Sequence, residues 1–195
     1  MQASPAIRLL PASGHADMAW KNGLGRTAEI ARHPASGTEF DWRISIATIS
    51  ADGPFSAFPG CDRTLVPISG GGVALDFADG ATLRGGCFDL LRFAGEHGCE
   101  GRLLGGETRD LNVITRRAAV AHTVEIATLP FRIATDGATT LIVALAGSFT
   151  AASDSGRWRL DPDDVLRIDA AGIDVRGMPI APEARAAIVT LRPRA

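Results

Sequence analysis

The residue pattern predicts an all-β chain folded as two jelly-roll barrels related by internal duplication. Three observations carry this expectation. Apolar runs are short and end in turn residues, with 22 glycines and 11 prolines spread along the chain. No window sustains helical periodicity over about 12 residues, and "APEARAAIV", which comes nearest, is better read as ending in a strand. The chain also resembles itself at a spacing of 75 residues.

The elements follow in order. Runs of strand length with turn-like flanks fall at 41–49, 64–70, 72–77, 88–93 and 111–117, then at 118–129, 139–149, 157–161, 164–169 and 186–193. Moved by 75 positions, Asp89-Leu90-Leu91-Arg92 lies on Asp164-Val165-Leu166-Arg167, and Gly72 lies on Gly147. The apolar pairs Val66/Leu141, Ile68/Val143, Val113/Ile188 and Ile114/Val189 keep register. Each copy reads as strand, glycine turn, strand, D-x-L-R strand, long connection and closing strand, the order of half a jelly roll. We therefore expect residues 1–117 to form an N-terminal barrel and 118–195 a C-terminal barrel, with strand exchange between them left open.

Composition removes several classes of function. Charged residues make up 22% with both signs mixed, for a net charge of −2, so no phosphate-binding face is expected and no nucleic-acid partner. Nothing approaches ~18 consecutive apolar residues, so no membrane span is expected. The N-terminus lacks a basic start followed by a long apolar run and does not read as a signal peptide. Cys61, Cys87 and Cys99 are odd in number and widely spaced, which argues against a disulfide framework or a zinc knuckle. A reduced, cytoplasmic protein without cofactor is the expectation.

Motifs are few. "WKNGLGRTAEI" (20–30) formally contains G-x-G-x-x-A, but no strand precedes it and no helix follows to hold a pyrophosphate. The stretch reads either as a glycine turn with Trp20 plugging the core, or as a loop bringing Lys21 and Asn22 to a ligand. His15, His33, His97 and His122 form no H-x-H pair, so no metal site is expected. Neither a nucleophile elbow nor a Cys–His pair is present, so no catalytic residue is assigned.

The polar strand positions are more informative. In 41–49, Arg43, Ser45 and Ala47 share one face, opposite Trp42, Ile44 and Ile46. Arg63 enters the next strand, where a lone arginine is more often solvated than a ligand contact. In "GGETRDLNVITRR" (105–117), Asp110 and Asn112 share a face, opposite Leu111 and Val113. An interior Asp110 needs a nearby cation or donor, because an unpartnered buried carboxylate costs several kcal/mol. Lys21, Arg43, Arg63 and Arg116 are the candidates. The 75-residue shift sets Arg185 and Ala187 against Asp110 and Asn112, which places the expected site in the N-terminal barrel.

Together "WKNGLGRTAEI", "WRISIATI", "DGPFSAFPGCDRTLVPISG" and "GGETRDLNVITRR", in that order over residues 20–117, resemble the HutD/Ves-type family associated with bacterial histidine utilisation. The resemblance implies a bicupin without the usual metal triad and a regulatory role in which a pathway intermediate is sensed. For the Ves branch it implies a cold- or stress-related role instead. By matching blocks, the shared positions are Trp20, Lys21, Asn22, Gly23, Arg43, Ser45, Arg63, Asp110, Asn112 and Arg116. The expected ligand is a small carboxylate such as urocanate or formiminoglutamate, held by Lys21, Asn22, Arg43, Ser45, Arg63, Asp110, Asn112 and Arg116. Arginine suits its carboxylate through charge-assisted hydrogen bonds. A metal-independent enzyme with Asp110 as acid/base and a regulator working through protein contacts are the alternatives, and a binding protein is preferred to an enzyme. Homodimerisation is common for such barrels and stays open.

Overall fold

The structure, a computed structural model, describes residues 6–20 and 22–194. The chain opens with β1 (Ile7–Leu10) and a 3-10 turn at Ala12–Gly14. Next come β2 (Ala16–Ala19), β3 (Gly25–His33), β4 (Trp42–Ile49), β5 (Gly53–Phe55) and β6 (Cys61–Ser69). They are followed by β7 (Val73–Phe77), β8 (Thr82–Gly85), β9 (Leu91–Ala94), β10 (Cys99–Leu103) and β11 (Thr108–Arg116). The second series comprises β12 (Val120–Thr128), β13 (Phe131–Asp136), β14 (Thr139–Ala146) and β15 (Phe149–Ser153). It ends with β16 (Gly156–Leu160), β17 (Val165–Ile168), β18 (Ala171–Pro179) and β19 (Arg185–Pro193). No helix among the described residues is long and apolar enough to cross a membrane.

Two compact units result. One spans His15–Ala121; the other joins His122–Pro193 to the N-terminal segment ending at Gly14. The leading strand β1 thus pairs antiparallel with β17, although the sequence alone grouped the N-terminus with the first barrel.

Within the N-terminal unit the sheets run β2-β3-β4-β11-β6-β9 and β5-β10-β7-β8. The C-terminal unit has β1-β17-β14-β19-β12 and β13-β18-β15-β16. Adding eight to the labels β4-β11-β6-β9 gives β12-β19-β14-β17, and β5-β10-β7-β8 likewise gives β13-β18-β15-β16. Both units are cupin-like jelly rolls, and the shared strand order is the duplication that the repeat announced.

Strand register corrects that repeat in one respect. A bulge interrupts β11/β6 beside Asp110, after which Asp110 faces Pro67, Asn112 faces Leu65 and Ile114 faces Arg63. A matching irregularity interrupts β14/β19, after which Ala186 faces Ala144, Ile188 faces Ile142 and Thr190 faces Thr140. Counted from the bulge, the counterparts of Asp110 and Asn112 are Ala186 and Ile188, not Arg185 and Ala187. The bulge is common to both copies, and the displacement from β11 to β19 is 76 residues on either side of it, so the repeat has gained one residue between elements. A slip of one residue exchanges the two faces of a strand, and a constant shift of 75 reads the wrong face.

The interiors differ accordingly. Ala186 and Ile188 pack with Ile142, Ala144, Phe149, Leu160, Leu166 and Ile168 into an apolar core. Each large side chain fully buried there contributes ~1.5–3 kcal/mol. In the N-terminal unit Leu65, Val73, Leu75, Leu91 and Cys99 form a buried cluster, with Phe55, Phe77, Leu83 and Phe93 packed against it.

Close turns hold the two sheets of that unit. Gly72 has φ +88°, and a Cβ there would lie 2.2 Å from the Gly85 carbonyl oxygen. Gly80 has the same φ but open space around it. We expect Gly80→Ala to cost ~1 kcal/mol, the strain of a left-handed alanine. Gly72→Ala should cost several times more, since backbone must move as well. Equal losses in denaturant unfolding would show that the close approach at Gly72 is unimportant.

Candidate functional site

Three central strands of the larger N-terminal sheet build the site as a grid. The pairings of β11 with β4 and β6 give the rows Arg43–Ile114–Arg63, Ser45–Asn112–Leu65 and Ala47–Asp110–Pro67. Alternation sends these side chains to one face. A cavity of about 590 Å³ opens over this face. It is lined there by Arg43, Ser45, Ala47, Arg63, Asn112 and Ile114, and elsewhere by Met18, Trp20, Asn22, Thr27, Phe55, Ser56 and Phe58.

Arg63 is the central group. It is 7% exposed, whereas a lone arginine at a strand start is ordinarily solvated. Its Nε and Nη2 donate to Asn112 Oδ1 at 3.0 and 2.6 Å, and Nη1 donates to the Ser56 carbonyl at 3.3 Å. The guanidinium lies 5.2 Å from the Phe55 ring centroid, 5.6 Å from Phe58 and 5.3 Å from Phe93. Each ring offers its negative face to the cation. Burial pulls the guanidinium pKa down, opposed by the charge of Asp110, but arginine stays cationic in proteins.

Asn112 passes this contact on. Its Nδ2 donates to Asp110 Oδ1, which fixes the amide with its oxygen toward Arg63. Asp110 is fully buried, and among the described residues its Oδ2 has no hydrogen-bond partner. Desolvation raises its pKa from 3.8 to about 7, against the lowering effects of Arg63 and of the Asn112 hydrogen bond. The second arginine is balanced differently: Arg43 Nε donates to Glu29 Oε2 at 2.7 Å, on strand β3.

The expected ligand residues thus separate. Asn22, Arg43, Ser45, Arg63 and Asn112 line one cavity, and Asp110 lies in the row beneath without lining it. Arg116 is not among the lining side chains; its Nη2 donates to the Phe40 carbonyl at 3.2 Å, and its ion pairs are with Glu39 and Asp41. Lys21 lies outside the described residues. Sequence reasoning missed Glu29 and the aromatic box, although "PFSAFPG" was visible as two phenylalanines on a turn.

Among the described residues no group of three or more His, Cys, Asp or Glu side chains is placed to hold a metal ion. Fold and site together define a cupin-like bicupin with one cation-floored cavity. The chain belongs to the HutD family, whose model matches residues 12–184. A 21.2 kDa protein from the hutC 3' region of Pseudomonas putida is 35% identical over 179 residues, covering 88% of this chain and 93% of its own. Protein Ves of Citrobacter koseri is 36% identical over 113 residues, which are 57% of this chain and 59% of its own. HutD from Pseudomonas fluorescens SBW25, solved in a formate condition, superposes with a TM-score of 0.85 at 28% identity, covering 97% of this chain and all of its own. A cupin 2 conserved barrel domain protein from Leptotrichia buccalis shares the fold at 10% identity, with a TM-score of 0.56 and coverage of 86% and 88%.

The buried Asp110 makes stability depend on pH. Between 3.8 and about 7 the folded state holds a proton that the unfolded state has released. This group therefore removes stability as pH rises through that window, up to ~4 kcal/mol, and nothing further above it. Asp110→Asn should abolish this component, so the variant gains on the parent from about pH 4 to about pH 7. Urea unfolding across that range checks it, and a constant difference between the two proteins would show that Asp110 is not held neutral.

Proposed function

We propose that this chain is a cytoplasmic small-molecule-binding protein that takes a carboxylate into the cavity of its N-terminal barrel. Its role would be to regulate histidine utilisation by sensing a pathway intermediate, urocanate, formiminoglutamate or a relative. The observation that carries this reading is Arg63. A cation is held in a box of three phenylalanines against a neutral amide, with no carboxylate among the described residues bonded to it directly. Nε, one Nη1 and one Nη2 proton are engaged, which leaves two of the five guanidinium protons for a ligand. Hydrogen bonds of this charge-assisted kind are short and strong in such surroundings. Family membership supports the link to histidine utilisation.

Asp110 fits an acid/base role less well, because it does not line the cavity. The enzyme reading therefore ranks below binding.

A thermal-shift screen with histidine, urocanate, formiminoglutamate, glutamate and formate tests the proposal. A ligand at a hundredfold excess over its Kd adds ~2.7 kcal/mol of stability. The carboxylates should raise the melting temperature, and Arg63→Ala should weaken binding at least tenfold, with circular dichroism reporting that the variant is folded. Arg116→Ala, outside the cavity, should bind as the parent does. Equal binding by the Arg63 variant would sink this site.

A further inference from the structure

The charges around the cavity do not balance evenly. Arg43 has its counter-charge in Glu29 at 2.7 Å. Arg63 has none in direct contact among the described residues; the carboxyl of Asp110 is reached through Asn112. The groups facing this pair are Arg43 from β4, with Glu29 behind it on β3, and Cys99 from β10. Burial pushes the Cys99 thiol up, which keeps it neutral. Asp110 is therefore the group whose ionisation decides whether Arg63 carries an uncompensated charge.

We propose that Asp110 is a positioning residue that couples anion binding to proton binding: an anion enters beside Arg63 when Asp110 is protonated, and its entry draws a proton onto Asp110. This rests on the reading of the cavity as a carboxylate site. Asp110 acts through Asn112 and Arg63. With Asp110 ionised, an incoming carboxylate shares one buried guanidinium with a second negative charge, and like charges at one site disfavour each other. With Asp110 neutral, the full charge of Arg63 is available. Asn112 donates to Asp110 Oδ1 in either state, so the amide keeps its orientation and no rearrangement is required. Oδ2, which has no partner among the described residues, is where the proton resides. Linkage makes the effect reciprocal: whatever an anion does to the proton affinity of Asp110, the proton does to the anion affinity.

The raised pKa of Asp110, about 7, places the transition where ordinary carboxylate ligands are already ionised. Calorimetry with formate as the probe, from about pH 6 to about pH 8.5, therefore separates protein from ligand titration. Affinity should fall about tenfold per pH unit above about pH 7, as the protonated fraction does. At the alkaline end, binding heats should vary with buffer ionisation enthalpy and report uptake of about one proton. That measurement needs no variant. Asp110→Asn, neutral at every pH, should bind formate with a pH-independent affinity and a buffer-independent heat. A merely structural Asp110 would leave the slope in place. Parent affinity that ignores pH, or a slope that survives in Asp110→Asn, overturns the coupling while leaving the carboxylate site intact. Formate that does not bind at any pH, or binds Arg63→Met as tightly as the parent, overturns the site itself and the coupling with it.

Discussion

A guanidinium inside a barrel is the constraint on which the rest of the N-terminal unit depends. Removing a cation from water costs several kcal/mol even after relaxation, and a barrel tolerates one only if its surroundings return that cost. Here the return comes from three sources. Three aromatic faces surround Arg63, the Asn112 oxygen accepts two of its donors, and Asp110 stands one residue further along the same strand face. The three act on different parts of the cost. The rings lack a hydrogen-bond acceptor, and the amide lacks a charge. A carboxylate bonded directly would neutralise the guanidinium and leave it nothing to offer a ligand. Placing an amide between the two keeps the counter-charge near and the cation available.

The duplicated partner shows what the same frame does without this constraint. At the position of Arg63 it has Thr140, and at those of Asp110 and Asn112 it has Ala186 and Ile188. The equivalent interior closes into a continuous apolar cluster around Phe149. Packing of that kind, at interior density, leaves little space for a ligand. A shared order of the central strands thus supports a filled barrel and a hollow one, and three inward positions on two adjacent strands separate their floors.

Much of this was legible in the sequence. Two-residue alternation and turn punctuation announce an all-β chain, and the duplication survives as a faint repeat. Asp110 and Asn112 stood out because polar residues interrupt a strand whose other face is apolar. The burial of Arg63 was not legible, since its box is assembled from Phe55 on β5, Phe58 in the following turn and Phe93 on β9. Those residues meet only after the two sheets pack. Strand β3 also escaped, because its side chains are mostly half-buried and give no clean apolar period. The one-residue slip of the repeat escaped for a related reason: one residue gained between elements exchanges the faces that a constant shift reports without changing composition. Pairing of β1 with β17, across 161 residues at Arg8 and Asp169, is a tertiary fact with no local signal.

The two units differ in one further respect that bears on the cavity. Beyond β4 the N-terminal sheet continues into β3 and β2, whereas among the described residues the C-terminal sheet ends at the equivalent strand, β12. This added hairpin brings Met18, Trp20, Asn22 and Thr27 to the cavity wall, with the Trp20 indole fixed by donation to Thr27 Oγ1 at 2.8 Å. It also brings Glu29 to Arg43. Strand β11 supplies the polar floor, but floor alone would leave Arg43 without its carboxylate and the cavity without one of its sides. With Glu29 in place, Arg43 is neutralised locally and the electrostatic asymmetry falls on Arg63. The hairpin is therefore more than an edge extension: it encloses the space and selects which of the two cations a ligand meets uncompensated.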